Sequence, residues 1–234
     1  METTTLVSAA ATVEDVRKFI ESLKVDMPEV FRPRRKTPET LGTAASPVDY
    51  PLGRVSTPES KGAVESRSPE GGTELPFQGG KIYLTTDVGP RSTVVEEDGG
   101  IRLLLSEDES TVPHEFVREW YLKKAWEQLT ASSQRWSAAM ELKYRNIRVK
   151  DQKSLWGSCT SDGDLNFNWR LILAPPPILE YVVVHELAHL RELNHSKRFW
   201  SVVAAWCPDY EQRRSWLRKN EKDLRWDPAR LGLN

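Results

Sequence analysis

Three of the four histidines in this 234-residue chain lie within eleven residues of one another, and two of them belong to an H-E-x-x-H pattern. The pattern runs from His185 through Glu186 to His189. Side chains four residues apart lie on the same face of an α-helix, about one turn from each other. Both imidazoles can therefore bind one metal ion, with the carboxylate of Glu186 beside it. The pattern predicts a metal centre, and zinc is the ion that such a donor set favours.

A third protein ligand is expected, because a catalytic zinc ion is usually held by three side chains and keeps one position open. His195 follows His189 by six residues, and a continuous helix would turn it about 120° away. We therefore predict that the helix ends between them, with Asn194 in the left-handed conformation of a C-cap and Ser196 capping a second helix. Glu192, three residues after His189, is the rival third ligand.

The predicted centre would be catalytic rather than purely structural. Three imidazole ligands and one open position lower the pKa of a water at that position toward about 7. Glu186 is placed to act as general base for this water and then to pass the proton to a leaving amine. The predicted reaction is hydrolysis of a peptide or similar amide, with one zinc ion per chain. Cys159 is predicted to be a packed thiol rather than a nucleophile.

Two kinds of element must position these residues. Three prolines at 175–177 precede a stretch that is apolar almost all round, which predicts a helix through the middle of the core. Residues 145–150 and 164–169 alternate apolar and polar side chains, and this alternation predicts an antiparallel hairpin or meander. The second of these strands carries Asn166 and Asn168, and we predict that it is a sheet edge along which a peptide substrate binds.

The sequence predicts four regions. Residues 37–76 are dense in Pro, Gly, Ser, Thr and Glu, with Tyr50 as their only aromatic residue, so residues 1–75 are expected to be a mostly disordered extension with one short amphipathic helix at 13–24. Residues 76–112 form a β-rich lead-in, with strands at 81–85 and 101–105. Residues 113–225 form the catalytic domain, which opens with a helix at Pro113, and residues 226–234 form a C-terminal tail.

Composition limits the classes of protein. The 33 basic and 34 acidic residues give a formal net charge of −1, and two cysteines are too few for a disulfide framework. No apolar run reaches the ~18 residues of a membrane span, and no secretory signal is evident, which favours a cytoplasmic protein. The basic run Arg32-Pro33-Arg34-Arg35-Lys36 fits a solvated tail or a nuclear-localisation signal. Residues 113–234 carry 20 basic and 15 acidic groups, which permits a nucleic-acid partner without requiring one.

A series of short motifs, in order, resembles the YgjP-like family of zincin-fold metallohydrolases. The motifs are WGSC at 156–159, N-x-N-x-R-L at 166–171, YVVVHELAHL at 181–190, NHS-x-x-FW at 194–200 and P-x-Y at 208–210. The match covers about 145–220, with a looser resemblance from about 80, and residues 1–75 lie outside it. The resemblance implies an α+β fold in which a small antiparallel sheet packs on a core helix, with zinc and peptide-bond hydrolysis. It also implies His185, His189 and His195 as ligands and Glu186 as base.

Two alternatives to a zinc metallopeptidase also fit the sequence. One is a protease that acts on DNA-bound proteins, like the SprT-like zincins, and another is a catalytically silent, zinc-stabilised interaction module. The presence of Glu186 favours an enzyme, because a structural zinc site needs no acid beside its water. Tyr210 is a candidate oxyanion stabiliser, or it packs beside Pro208 and Trp206. The sequence makes no prediction of oligomeric state.

Overall fold

The computed structural model describes residues 71–107 and 112–233. The predicted amphipathic helix at 13–24 and the basic run at 32–36 lie outside these residues. The first strand begins at Thr73, three residues before the predicted start of the β-rich lead-in at residue 76. No helix within the described ranges is long and apolar enough to cross a membrane.

A four-stranded sheet forms the lead-in. Its strands are β1 (Thr73–Phe77), β2 (Gly80–Val88), β3 (Thr93–Glu97) and β4 (Gly100–Leu105), in the order β1-β2-β4-β3. The pairs β1–β2 and β3–β4 are antiparallel, whereas the central pair β2–β4 is parallel. The predicted strands at 81–85 and 101–105 are confirmed. The tight turn between β3 and β4 uses Gly99, whose φ of 80° favours glycine.

A long helix, α1 (Pro113–Ala139), packs between this sheet and the rest of the core. It begins at Pro113 as predicted, since proline is favoured in the first turn of a helix, where its missing N–H costs nothing. Tyr121 is fully buried on α1, and its hydroxyl donates a hydrogen bond of 2.7 Å to the carbonyl of Pro76 in β1. This contact joins the helix to the first hairpin.

A second, three-stranded sheet lies next to the predicted metal-binding helix. Its strands are β5 (Asn146–Lys150), β6 (Gly157–Cys159) and β7 (Asp164–Asn168), in the order β5-β7-β6. The predicted antiparallel hairpin is wrong for β5 and β7, which pair in parallel, while β6 and β7 are antiparallel. The small sheet is therefore mixed rather than antiparallel.

The prediction that residues 164–169 form a substrate-binding edge is also wrong. β7 is the central strand, and all five of its residues are buried. Its polar side chains alternate with apolar ones, but they are covered by their own hydrogen-bond partners instead of facing solvent. The two edges of the sheet are β5 and β6.

Asp164 at the start of β7 illustrates this buried polar face. Its side chain is 4% exposed, and its carboxylate accepts hydrogen bonds from Arg145 Nε at 2.7 Å and from Asn146 Nδ2 at 3.1 Å. Hydrogen bonds from Arg145, with further help from Asn146 and the charge of Arg148, outweigh burial and hold the pKa of Asp164 below its usual value. The ion pair therefore stabilises the junction of β5 and β7 only while Asp164 is ionised.

We expect Asp164→Asn to lower the free energy of unfolding at pH 7 and to weaken its dependence on acid. Because the pKa of Asp164 is lower in the folded state, its ionised form contributes stability above the unfolded-state pKa of about 3.9. That contribution is lost as the pH falls from there through the lower, folded-state pKa. Urea unfolding at pH 7 and at a pH below 4 measures both effects. The exposed Asp162 provides the control variant Asp162→Asn, and an acid dependence unchanged in Asp164→Asn would contradict this account.

The helix with the H-E-x-x-H pattern, α2 (Pro176–Ala188), runs through the core as predicted, and ten of its 13 residues are buried. Glu180 fixes α2 to α1, because its carboxylate accepts hydrogen bonds from Arg135 and Trp136. Three further helices follow: α3 (Lys197–Trp206), α4 (Tyr210–Lys219) and α5 (Glu221–Leu224). The predicted tail is part of the fold, since the Trp226 ring lies 5.3 Å from that of Tyr121.

Candidate metal centre

The three predicted histidine ligands meet at one point. One ligand atom from each of His185, His189 and His195 lies within 4.8 Å of the other two, and the Nε2 atoms of His185 and His195 are 3.0 Å apart. Nitrogens bound tetrahedrally to zinc at 2.0–2.1 Å are about 3.3 Å from each other. The cluster therefore offers imidazole donors, as a metal site requires, and the separation of the His185 and His195 nitrogens is close to this value.

The turn between the second and third ligands differs from the prediction. Helix α2 ends at Ala188, and Asn194 is not in the left-handed conformation, which only Gln78 and Glu141 adopt among the described residues other than glycine. Instead, the Asn194 side chain accepts a hydrogen bond of 3.2 Å from the backbone N–H of Ser196. A local side-chain turn of this kind reverses the chain without a positive φ.

Ser196 caps α3 as predicted. Its hydroxyl accepts a hydrogen bond of 3.3 Å from the backbone N–H of Phe199, which satisfies one of the free N–H groups at the helix start. The cap fixes the point where α3 begins and thereby places His195, one residue earlier, opposite the end of α2.

Neighbouring groups determine which nitrogen of His189 can bind metal. Its Nδ1 lies 3.1 Å from the backbone carbonyl of Glu192. Because a carbonyl can only accept, Nδ1 carries the proton and Nε2 is free for an ion. Glu192 thus orients a ligand through its backbone, and its carboxylate is not among the three converging groups.

Burial keeps two of the imidazoles neutral, which is the form that binds metal. Burial, followed by the nearby charges of His189 and His195, lowers the pKa of His185 to about 3. Burial also lowers the pKa of His189. The Nδ1 atom of His185 is buried without a hydrogen-bond partner among the described residues.

Glu186 is the carboxylate of the centre. It is 5% exposed, and burial raises its pKa to about 8. A bound cation would oppose this shift, since a nearby positive charge favours the ionised carboxylate. Glu186 is therefore a buried carboxyl group one residue after the predicted ligand His185.

Gly157 on β6 lies against Glu186, a contact that the sequence did not predict. A Cβ atom at this position would lie 2.5 Å from Glu186 Oε1 and 2.8 Å from its Cγ. Only glycine lets the strand approach Glu186 so closely. A glycine inside a strand can signal such an approach, but its partner cannot be read from the sequence.

We expect Gly157→Ala to reduce turnover by about 100-fold while metal binding is retained, because the added methyl group displaces the buried carboxylate by about an ångström. Metal content and steady-state kinetics measured on the same preparation test this. Gly80→Ala is the matched control, since a Cβ there meets nothing closer than 3.7 Å. Wild-type kinetics in Gly157→Ala would show that the position of Glu186 is unimportant.

An aromatic wall on α3 packs behind the histidines. The Phe199 ring lies 4.5 Å from that of His189 and 4.8 Å from that of His185. The Trp200 ring stacks on His195 at 5.7 Å and on Tyr210 at 5.0 Å. The predicted apolar stripe of this helix thus holds the ligands in place.

Trp200 lies in contact with both Tyr210 and His195, and the Tyr210 hydroxyl donates to Glu211 at 3.3 Å. The assignment of Tyr210 as an oxyanion stabiliser stays a prediction. Asn166 and Asn168 are structural in this fold: Asn166 donates to the Ser158 hydroxyl at 3.3 Å, and Asn168 donates to the carbonyls of Gln152 and Leu155. These bonds hold β6 and its preceding loop in place.

The two cysteines are free thiols. Burial, followed by the charges of Glu186 and Asp164, raises the pKa of Cys159 to about 11. A thiol with so high a pKa is a poor nucleophile near pH 7, which agrees with its predicted role as a packed side chain. Cys207 is buried.

The α+β fold brings three histidines together and carries a buried carboxyl group next to one of them in sequence. The chain belongs to the YgjP-like family, whose metallopeptidase domain matches residues 53–220. The family match begins at residue 53, so part of the extension predicted to lie outside the shared domain belongs to it. The domain boundary at residue 75 stays a prediction.

Two individual proteins are similar to parts of the chain. A UTP pyrophosphatase of Escherichia coli (strain K12) is 49% identical over 39 residues, which are 17% of this chain and 23% of that protein. The match thus spans less than a quarter of this relative. The crystal structure of the metallopeptidase zymogen of Pyrococcus abyssi abylysin has a TM-score of 0.36 and 18% identity, covering 40% of this chain and 93% of that one.

Proposed function

We propose that this protein is a zinc-dependent peptidase, with zinc held by His185, His189 and His195 and with Glu186 as the general base. The observation that carries the proposal is the convergence of three imidazoles beside one buried carboxylate. Membership of a metallopeptidase family supports it. A purely structural zinc site would have no use for the desolvated carboxylate.

Zinc bound there would act as a Lewis acid that polarises the substrate carbonyl and makes a water acidic near neutral pH. The protein's own residues perform the proton transfers. Glu186 takes a proton from the attacking water on a carboxylate oxygen and delivers it to the nitrogen of the leaving amine. Gly157 leaves room for that carboxylate, and the Glu192 carbonyl holds His189 in the tautomer that ligation requires.

The position of β6 at an edge of its sheet, as the described residues form it, supports a peptide as substrate. β6 is the terminal strand of its sheet, and Gly157 on it lies against Glu186. An extended peptide can pair with a free strand edge through its backbone. A peptide on β6 would therefore have its backbone next to the general base, which the predicted location on β7 does not allow.

A second candidate function is hydrolysis of a nucleotide pyrophosphate bond. The observation in its favour is the 49% identity over 39 residues to a UTP pyrophosphatase. The same metal centre could supply a base and an activated water for that reaction. The short span of the match leaves the peptidase as the better supported proposal.

Incubation of the zinc-loaded protein with a peptide library and, separately, with UTP tests the substrate class. We expect cleaved peptides by mass spectrometry and no pyrophosphate release. A third incubation contains a DNA-bound protein substrate with and without excess free DNA. Pyrophosphate release without peptide cleavage would overturn the peptidase proposal, and cleavage that requires DNA would favour the SprT-like alternative.

A further inference from the structure

Arg214 on α4 lies beside the metal centre without belonging to it. Its guanidinium carbon is 4.9 Å from the centre of the Trp200 ring, and Trp200 in turn stacks on the ligand His195. One aromatic ring therefore connects this cation to a metal ligand. Stacking on tryptophan holds the guanidinium flat and leaves its N–H groups free at the edge.

The guanidinium of Arg214 stacks on Trp200 but is not held by a carboxylate within the described part of the chain. Arg214 is exposed and forms no ion pair with any carboxylate in residues 71–107 or 112–233. Its neighbour Arg213 is 1% exposed, pairs with Asp209 at 2.9 Å and donates to the carbonyl of Pro177 at 2.8 Å. Arg213 therefore anchors α4 to α2, whereas Arg214 remains available to a ligand.

We propose that Arg214 binds a carboxylate of the substrate and so makes this enzyme selective for peptides that carry one close to the scissile bond. The inference rests on the proposed peptidase function. A guanidinium binds a carboxylate through two parallel hydrogen bonds. The two ring contacts, of 4.9 and 5.7 Å, place the Arg214 guanidinium carbon no further from the His195 ring than about three extended residues span, at about 3.3 Å each. The carboxylate is therefore that of a nearby C-terminus or of an Asp or Glu side chain within that reach.

Three versions of one cleaved peptide test the proposal: a free C-terminal acid, its C-terminal amide, and an amide with Asp near the cleavage point. We expect kcat/KM to be about 10- to 100-fold higher for the versions with a carboxylate, mainly through KM. The acid and the Asp-containing amide distinguish the two sources of that carboxylate. Arg214→Gln should abolish the preference, and Arg214→Lys should retain part of it.

Arg218→Gln is the matched control, because it removes the same charge from an exposed position one turn further along α4. It should keep the wild-type preference. Equal rates on acid and amide in the wild type, or an unchanged preference in Arg214→Gln, would overturn the proposal. An effect of Arg214→Gln on UTP turnover alone would also overturn it, since the ligand would then be a phosphate.

Binding separates this proposal from the peptidase proposal. Calorimetry with zinc-loaded Glu186→Gln protein measures the dissociation constants of the acid and amide peptides without turnover. One outcome is that the acid binds more tightly than the amide, that Arg214→Gln removes this difference, and that the wild-type protein cleaves neither peptide. This outcome would support the anion site and contradict the peptidase function. Cleavage by the wild-type protein, without any difference in binding between acid and amide, would support the peptidase function and contradict the anion site.

Discussion

Glu186→Gln is expected to lower peptide turnover by about 10²–10⁴-fold and to leave zinc binding unchanged. The amide has the shape of the carboxylate but cannot accept a proton from water. Because Glu186 is not one of the three converging ligands, the ion should remain at its wild-type stoichiometry. Zinc content by mass spectrometry and steady-state kinetics on the same preparation give both results.

Glu192→Gln is the control for this substitution. It makes the same chemical change six residues further on, where only the backbone carbonyl serves the site. Its turnover should match that of the wild type. Substantial activity in Glu186→Gln would mean that another group takes the proton and that the mechanism proposed above is wrong.

His195→Ala should cost more than activity, because it removes a ligand from the ion. Loss of hydrogen-bond partners outside the ligand shell already weakens metal sites by about 10- to 100-fold, and loss of a ligand should exceed this. Zinc should therefore raise the melting temperature of the wild type and have little effect on that of His195→Ala. The reason is that an ion stabilises a folded protein only as far as the folded state binds it.

Fluorimetric melting with and without zinc, together with zinc content after dialysis, measures this loss. The same assay decides between His195 and Glu192 as the third ligand. Wild-type zinc binding by His195→Ala, combined with its loss in Glu192→Gln, would reverse the assignment made here.

The convergence of the three histidines could be predicted because their geometry is local. The i, i+4 spacing of His185 and His189 determines their common face once the stretch is helical, and the apolar run before them predicts a buried helix. Ser196 as the cap of the next helix is again a property of a few neighbouring residues. These features depend on contacts within one turn or two, and the sequence displays them directly.

The features that escaped prediction depend on contacts between distant segments. The alternation of polar and apolar residues in β7 predicts a strand with one polar face. It does not reveal that partners such as Arg145 bury this polar face, and for that reason a central strand was predicted to be an edge. β7 pairs in parallel with β5 because it lies between β5 and β6 in the sheet, an order that no local pattern reveals. Gly157 acquires its role only because Glu186, on another element, lies against it.

The chain turn at Asn194 shows a different limit of prediction from sequence. Asparagine accommodates both a left-handed backbone and a side-chain turn, and the residue type alone does not choose between them. The structure uses the side chain, with its hydrogen bond to the N–H of Ser196. The outcome for the site is the same, since either turn brings His195 back to the end of α2.

Titration of the metal-free protein with zinc, with peptide turnover followed at each addition, tests the central claim most directly. We expect no turnover without metal and a turnover that rises in proportion to bound zinc. It should reach its maximum at about one ion per chain, the number that one three-histidine site holds. Peptide cleavage by the metal-free protein, or a fully zinc-loaded chain that cleaves no peptide in the library, would contradict it.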